Sequence, residues 1–202
     1  MRNDVTLSRR GFAVGFFAGA VTLAMPRIAL ALTVDDARAL VGRTIESLNR
    51  IINSGKSESA MLGDFEKLFA TFADVPVIAR SALGVAAKSA SKAQLSAFTK
   101  SFRGYISRKY GRRFREFAGG RIEVTDAKPL KSYFEVVSVA YLPGEAPFDL
   151  RWHVSDKSGK DLFFNLIIEG VNMLASERAE IGALLDKRKG NIDQLIEDLK
   201  SI

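Results

Sequence analysis

At Gly119-Gly120 the apolar pattern of this chain changes period, and that switch constrains its fold more than any other feature. Before the pair, apolar residues recur at helical spacing. Thr33-Val-Asp-Asp36 reads as a helix start, with Thr33 as N-cap and acids in the first turn. Val34, Ala37, Val41, Ile45, Leu48 and Ile52 then form a stripe that ends at Asn53-Ser54-Gly55. A second helix is predicted over Glu58 to Phe72, and a third restarts at Asp74-Val-Pro76 and stops at Leu83-Gly84. Ser91-Lys-Ala-Gln94 has capping-box spacing and opens the longest helix, expected to reach about Phe117, with Phe98, Phe102, Ile106, Tyr110 and Phe114 every four residues.

After the glycine pair the pattern alternates. Strands are predicted at Arg121–Thr125, Phe134–Leu142, Phe148–Ser155 and Lys160–Glu169. Pro143-Gly-Glu-Ala-Pro147 and Asp156-Lys-Ser-Gly159 supply turn chemistry between them. Short turns between sequential strands imply an antiparallel meander. Asn172 and Asn191 can each cap a closing helix. The expectation is an α+β domain, its helices packed on one face of a curved, roughly four-stranded antiparallel sheet, with an apolar cleft between the layers.

The first 31 residues read as an address rather than as fold. A basic start, an apolar run from Gly11 to Met25 and an Ala29-Leu-Ala31 end describe a secretory leader cut before Leu32. The run is shorter than the ~20 residues that a spanning helix needs. Ser8-Arg-Arg-Gly-Phe12 resembles the twin-arginine export motif, with Ala13 where Leu is usual, so the destination is the periplasm. Residues 32–202 are then one domain. The leader carries +3 of the formal +7, leaving +4 for the mature chain.

What remains excludes much chemistry. With no Cys and one His, thiol catalysis, a Cys-ligated metal and a His-rich site are out of reach. His153 alternates with Trp152 and should share a strand face with Arg151 and Ser155. No carboxylate pair is spaced for acid–base work, and the glycine pair follows a helix rather than a strand, the wrong order for a phosphate loop. Between Asp74 and Glu116 stand ten basic residues and no acid. The inward period of the aromatics and the periplasmic address argue against nucleic acid; an anionic membrane or an acidic partner remains, as does a solvated polar face. Eleven Phe, four Tyr and Trp152 lie beyond the leader, enough either to fill a core or to line a cavity for a hydrophobic ligand.

Several segments resemble a known family. They are Phe72-Ala-Asp-Val-Pro-Val-Ile-Ala-Arg-Ser-Ala-Leu-Gly84, Lys88-Ser-Ala-Ser-Lys-Ala-Gln94, Phe98-Thr-Lys-Ser-Phe-Arg-Gly-Tyr-Ile-Ser-Arg-Lys-Tyr-Gly111 and Ile168-Glu-Gly-Val-Asn-Met-Leu174. With Gly182-Ala-Leu-Leu185 and Ile192-Asp-Gln-Leu-Ile-Glu-Asp-Leu199 they look, in this order, like MlaC and the toluene-tolerance proteins. The resemblance implies a soluble, monomeric periplasmic carrier that is not an enzyme and has no cofactor. It implies a phospholipid held by its acyl chains between helices and sheet, shuttled between an outer-membrane lipoprotein complex and an inner-membrane ABC transporter. A related branch is associated with hopanoids. Carried over by position, Phe98, Phe102, Tyr105, Ile106 and Tyr110 on the long helix, with Val137, Val139, Tyr141, Leu150, Trp152 and Ile167 on strands, are the expected lipid-binding residues. Arg108, Arg112 and Arg113 are the expected contacts to partner or headgroup. The chain departs from the family at Val85-Ala-Ala87, where aromatics are frequent, at Asp161 and Asn165, which replace Trp and Asp, and at Asn172, which replaces Ser. The rival readings are an enzyme with His153 or a carboxylate in the cleft, and an adaptor with a filled core.

Overall fold

The computed structural model describes residues 32–112 and 117–202. The expected leader, Arg113 and Phe114 lie outside the described residues. Four helices come first: α1 (Val34–Ile52), α2 (Glu58–Phe72), α3 (Val75–Leu83) and, after a 3-10 turn at Gly84–Lys88, α4 (Lys92–Gly111). Strands β1 (Arg121–Leu130), β2 (Tyr133–Tyr141), β3 (Phe148–Ser155), β4 (Leu162–Ile168) and the short β5 (Val171–Asn172) follow, then α5 (Met173–Lys187) and α6 (Ile192–Ser201). No helix among the described residues is long and apolar enough to cross a membrane.

The capping chemistry forms as the spacing predicts. Thr33 Oγ1 accepts from Asp36 N while Asp36 accepts from Thr33 N, and Ser91 and Gln94 repeat this box at α4. Asn172 and Asn191 cap α5 and α6 through their side chains. Asp74 caps α3, and its backbone N–H bonds to Phe163 O at 2.8 Å, which ties the start of α3 to β4.

The sheet is an open antiparallel meander in the order β1-β2-β3-β4-β5. It has one more strand than expected, and β1 runs five residues further, past a register shift between Val124 and Asp126. Pro129 lies inside β1, tolerated because β1 is an edge strand with one unpaired side. Helices gather on one sheet face: α1 over β1 and β2, α3 and α5 beside β4. The principal neighbours of α4 are the helices α2, α3 and α6. One apolar core joins both layers, from Leu40 and Val41 through Phe98 and Phe102 to Val136, Trp152 and Leu199.

Candidate functional site

The interior between helices and sheet is apolar, and in this conformation it is closed. Phe98, Phe102 and Tyr105 are 0%, 0% and 1% exposed. The rings of Phe98 and Phe102 stack at 5.7 Å, and Tyr105 tilts against Phe102 at 6.1 Å. From the sheet, Leu150 and Trp152 enter the same core, and Ile106 packs at its margin. Trp152 also meets Phe163 edge-on at 5.4 Å and donates its indole N–H to the buried Ser138 Oγ at 2.9 Å. Six expected lining residues therefore meet in one core.

The other strand candidates do not join them. β2 pairs with β3 so that Val136 lies opposite Trp152 and Ser138 opposite Leu150. Val137 lies opposite Arg151 and Val139 opposite Asp149, and on β4 Ile167 also pairs with Arg151. Val137, Val139, Tyr141 and Ile167 thus face away from the helices, and they cannot share a lining with Leu150 and Trp152. The physical reason is a lack of contrast. In Val136-Val-Ser-Val-Ala-Tyr141 both faces are rich in apolar residues, and the one polar side chain, Ser138, points inward to its indole partner. Tyr141 instead carries the Arg121 guanidinium over its ring at 4.0 Å.

A polar cluster closes the end of the α4 aromatic row. Lys109 Nζ bonds to Glu177 Oε1 at 2.7 Å, to Glu180 Oε2 at 2.5 Å and to Tyr105 Oη at 3.0 Å. Tyr105 donates to Glu180 at 2.6 Å, and Tyr110 donates to Glu177. Glu177 is 3% exposed, and its Oε2 has no hydrogen-bond partner among the described residues. Burial, with the Glu180 and Glu177 carboxylates beside it, pushes the Tyr105 phenol well above its ordinary value. Burial alone would lower the Lys109 ammonium, but its bonds to Glu177 and Glu180 outweigh that and raise it. Burial likewise pushes the Glu180 carboxyl up, while the bonds from Lys109 and Tyr105 prevail and hold it low. Tyr110 therefore stands at the polar rim. The sequence leaves Lys109 within a basic stretch open to an anionic membrane, an acidic partner or solvent; the signal for its partners is the i, i+3 spacing of Glu177 and Glu180 on α5.

The sheet's other face carries its own polar group. His153 lies between Tyr133 and Phe164, with ring centroids at 4.7 and 5.8 Å. Its Nδ1 is 3.4 Å from Asn165 Nδ2 and its Nε2 is 3.6 Å from Glu135 Oε2. Burial lowers the imidazole below its ordinary value, against the pull of Glu135. Asn165 Oδ1 also accepts from Leu174 N at 3.2 Å, so this residue anchors the start of α5. A cleft of about 380 Å³ on this face is lined by Glu135, Asp149, Arg151, Ile167, Glu169 and Gly170, and His153 is not among them. A second cleft, about 330 Å³, lies between α1 and α2 beside the Lys56–Asp64 ion pair. Among the described residues no three His, Cys, Asp or Glu side chains gather to hold a metal.

The expected docking arginines are separated. Arg108 caps the end of α6, bonding from Nε to Ile202 O at 2.8 Å and from the guanidinium to Leu199 O. Arg112 is exposed at the end of α4, and Arg113 lies outside the described residues.

The fold is shared with a solved structure, that of the phospholipid-binding protein from Ralstonia solanacearum in complex with a phospholipid. The two superpose with a TM-score of 0.68 at 17% identity, over 81% of this chain and 94% of that one. At that identity the likeness speaks for the fold. The sequence itself matches the MlaC protein family over residues 42–201, from the middle of α1 to the end of α6. The chain therefore belongs to the MlaC family.

Proposed function

We propose that this protein is a periplasmic carrier that encloses the acyl chains of a phospholipid between its helices and its sheet. In this reading residues 1–31 are removed on export, and the lipid passes between an outer-membrane lipoprotein complex and an inner-membrane ABC transporter. The observation that carries the reading is membership of the MlaC family across nearly the whole described domain. A filled interior taken alone would suit an adaptor equally; the family favours the carrier.

The chemistry is enclosure. Each CH₂ taken from water contributes about 0.8 kcal/mol, so a carrier gains by surrounding the whole chain. Phe98, Phe102, Tyr105, Ile106, Leu150 and Trp152 are the wall that the chain would meet. Because that wall is closed, an acyl chain enters by parting α4 from the sheet side of the core rather than by filling a standing void. Tyr110, Lys109 and Glu177 mark the polar limit, where a headgroup would stay outside.

Leu32 supports the cleavage reading. Its side chain is buried, and its backbone N lies 3.2 Å from Asp156 Oδ2. A cut before Leu32 would turn that amide into an ammonium already facing a carboxylate.

Extraction of the purified protein with organic solvent, followed by mass spectrometry, tests the function. About one phospholipid per protein is expected. Protein that is lipid-free and takes up no lipid from vesicles would sink the reading.

A further inference from the structure

We propose that the outward face of α3 and the 3-10 turn after it dock this protein on an anionic lipid surface, with Val77 and Val85 meeting the headgroup layer inside a frame of Arg80, Lys88 and Arg178. The proposal rests on the carrier reading and names where such a carrier meets a bilayer.

The two faces of α3 differ sharply. Val75, Ile78, Ala79, Ala82 and Leu83 are buried in the core. Val77, Arg80, Val85 and Lys88 are exposed, and their spacing keeps them on the opposite side. Val85 is 72% exposed and Val77 44%; among the described residues the other large hydrophobics so exposed are Val171 and Ile202, both at other places in the chain. The backbone presents Val85 deliberately. Gly84 has φ 64° and ψ −132°, a conformation that residues with a side chain rarely adopt, and it turns the chain outward there. The missing Cβ also makes room for α5: an added Cβ would lie 3.4 Å from Arg178 Nε, so the Arg178 guanidinium rests over Gly84, next to Val85.

The charges are the second, independent observation. Some basic residues elsewhere pair with acids, Lys56 with Asp64, Arg103 with Glu66, Lys109 with Glu177 and Arg188 with Asp198, while others, such as Lys92 and Lys100, have no acid partner among the described residues. Among the described residues, Arg80, Lys88 and Arg178 have no such partner, and the sequence places no acid between Asp74 and Glu116 to supply one locally. Cations without acids around projecting aliphatic tips complement a negatively charged headgroup layer. A protein partner is less suited, since the projecting apolar residues of the patch are two valines and include no aromatic anchor.

Flotation of the purified, cargo-bearing protein with vesicles tests this. Vesicles of phosphatidylglycerol mixed with phosphatidylcholine are compared with pure phosphatidylcholine, at low and high salt. The expected result is binding to the anionic vesicles only, lost at high salt. Each of Arg80→Ala, Lys88→Ala and Arg178→Ala should weaken partition about five-fold, and the triple variant about a hundred-fold. Val85→Asp should also weaken it, and co-purified lipid per protein should stay unchanged in every variant. Equal binding to both vesicle types, or a triple variant that floats like the parent, overturns the proposal. A triple variant that floats normally but no longer delivers lipid to a partner complex assigns the patch to an acidic protein and overturns it too. Lipid-laden protein that does not float removes the docking face and leaves the carrier standing. Lipid-free protein that floats through these cations does the reverse.

Discussion

Glu177 brings a carboxylate into the helical interior, where a charge is costly unless it is paired. Lys109 is the partner that makes it tolerable, and it serves Glu180 and Tyr105 at the same time. Lys109→Met should therefore destabilise by about 2 kcal/mol, less than a fully buried pair because the ammonium retains some solvent. Urea denaturation measures it; a loss indistinguishable from zero would mean that α4 and α5 are held by apolar contact alone. The pH dependence follows from the shifts. Glu180 is depressed, so its contribution is present above 4.5 and lost as pH falls through its lower folded value. Lys109 and Tyr105 are raised, so theirs is present below about 10 and lost as pH rises. The parent should show a stability plateau between these limits, and the Lys109→Met variant should show smaller falls at both ends.

At the scale of elements, the junction between helices and sheet depends on Gly120. A Cβ there would lie 2.9 Å from Tyr141 O and 3.0 Å from Phe117 O, both backbone atoms, and 2.7 Å from Leu142 Cδ2. Gly120→Ala should cost about 2 kcal/mol, because the start of β1 must move away from the end of β2. A melting temperature equal to the parent's would contradict that close approach. The two faces of β2 give a second test. Val139→Trp, on the face turned from the helices, should leave the amount of co-purified lipid unchanged. Ala140→Val, buried and turned toward them, should reduce it. Equal effects from both would restore Val139 to the lining. β2 also shows why the register was hard to read: alternation identifies faces only when they differ in polarity, and here they do not. Pro129 and the register shift after Val124 hid the second half of β1 for a related reason, since both interrupt the pattern without interrupting the strand.

At the scale of the whole molecule, the proposed cut before Leu32 would join maturation to the fold. A protein beginning at Leu32 carries an α-ammonium beside Asp156, and such a group ordinarily titrates near 7.7–8.0. A carboxylate at that distance would favour the charged amine, so the contribution expected of the cleaved protein, about 0.5–1 kcal/mol, would be present below pH 8 and lost as pH rises above it. Melting temperatures between pH 6 and 10 should fall more for the mature parent than for its Asp156→Asn variant. Identical slopes would show that the amine and the carboxylate do not interact.

The sequence by itself determined the elements and their class. Caps at Thr33, Ser91, Asn172 and Asn191, the stop at Gly84 and the change of period at Gly119-Gly120 are local signals, written in residues within one turn of each other. The ordered segments that resemble the family are likewise readable without coordinates, and the match over residues 42–201 agrees with them. Tertiary structure decided what the side chains do. It put Val137, Val139, Tyr141 and Ile167 on the far side of the sheet, assigned Arg108 to the end of α6, drew Lys109 into a buried cluster and left Arg80, Lys88 and Arg178 without an acid partner among the described residues. Each of these depends on a partner many residues away: 91 between Arg108 and Leu199, 68 between Lys109 and Glu177. Periodicity reports which side of an element is apolar. Only packing determines which other element that side, and each charge on its rim, will meet.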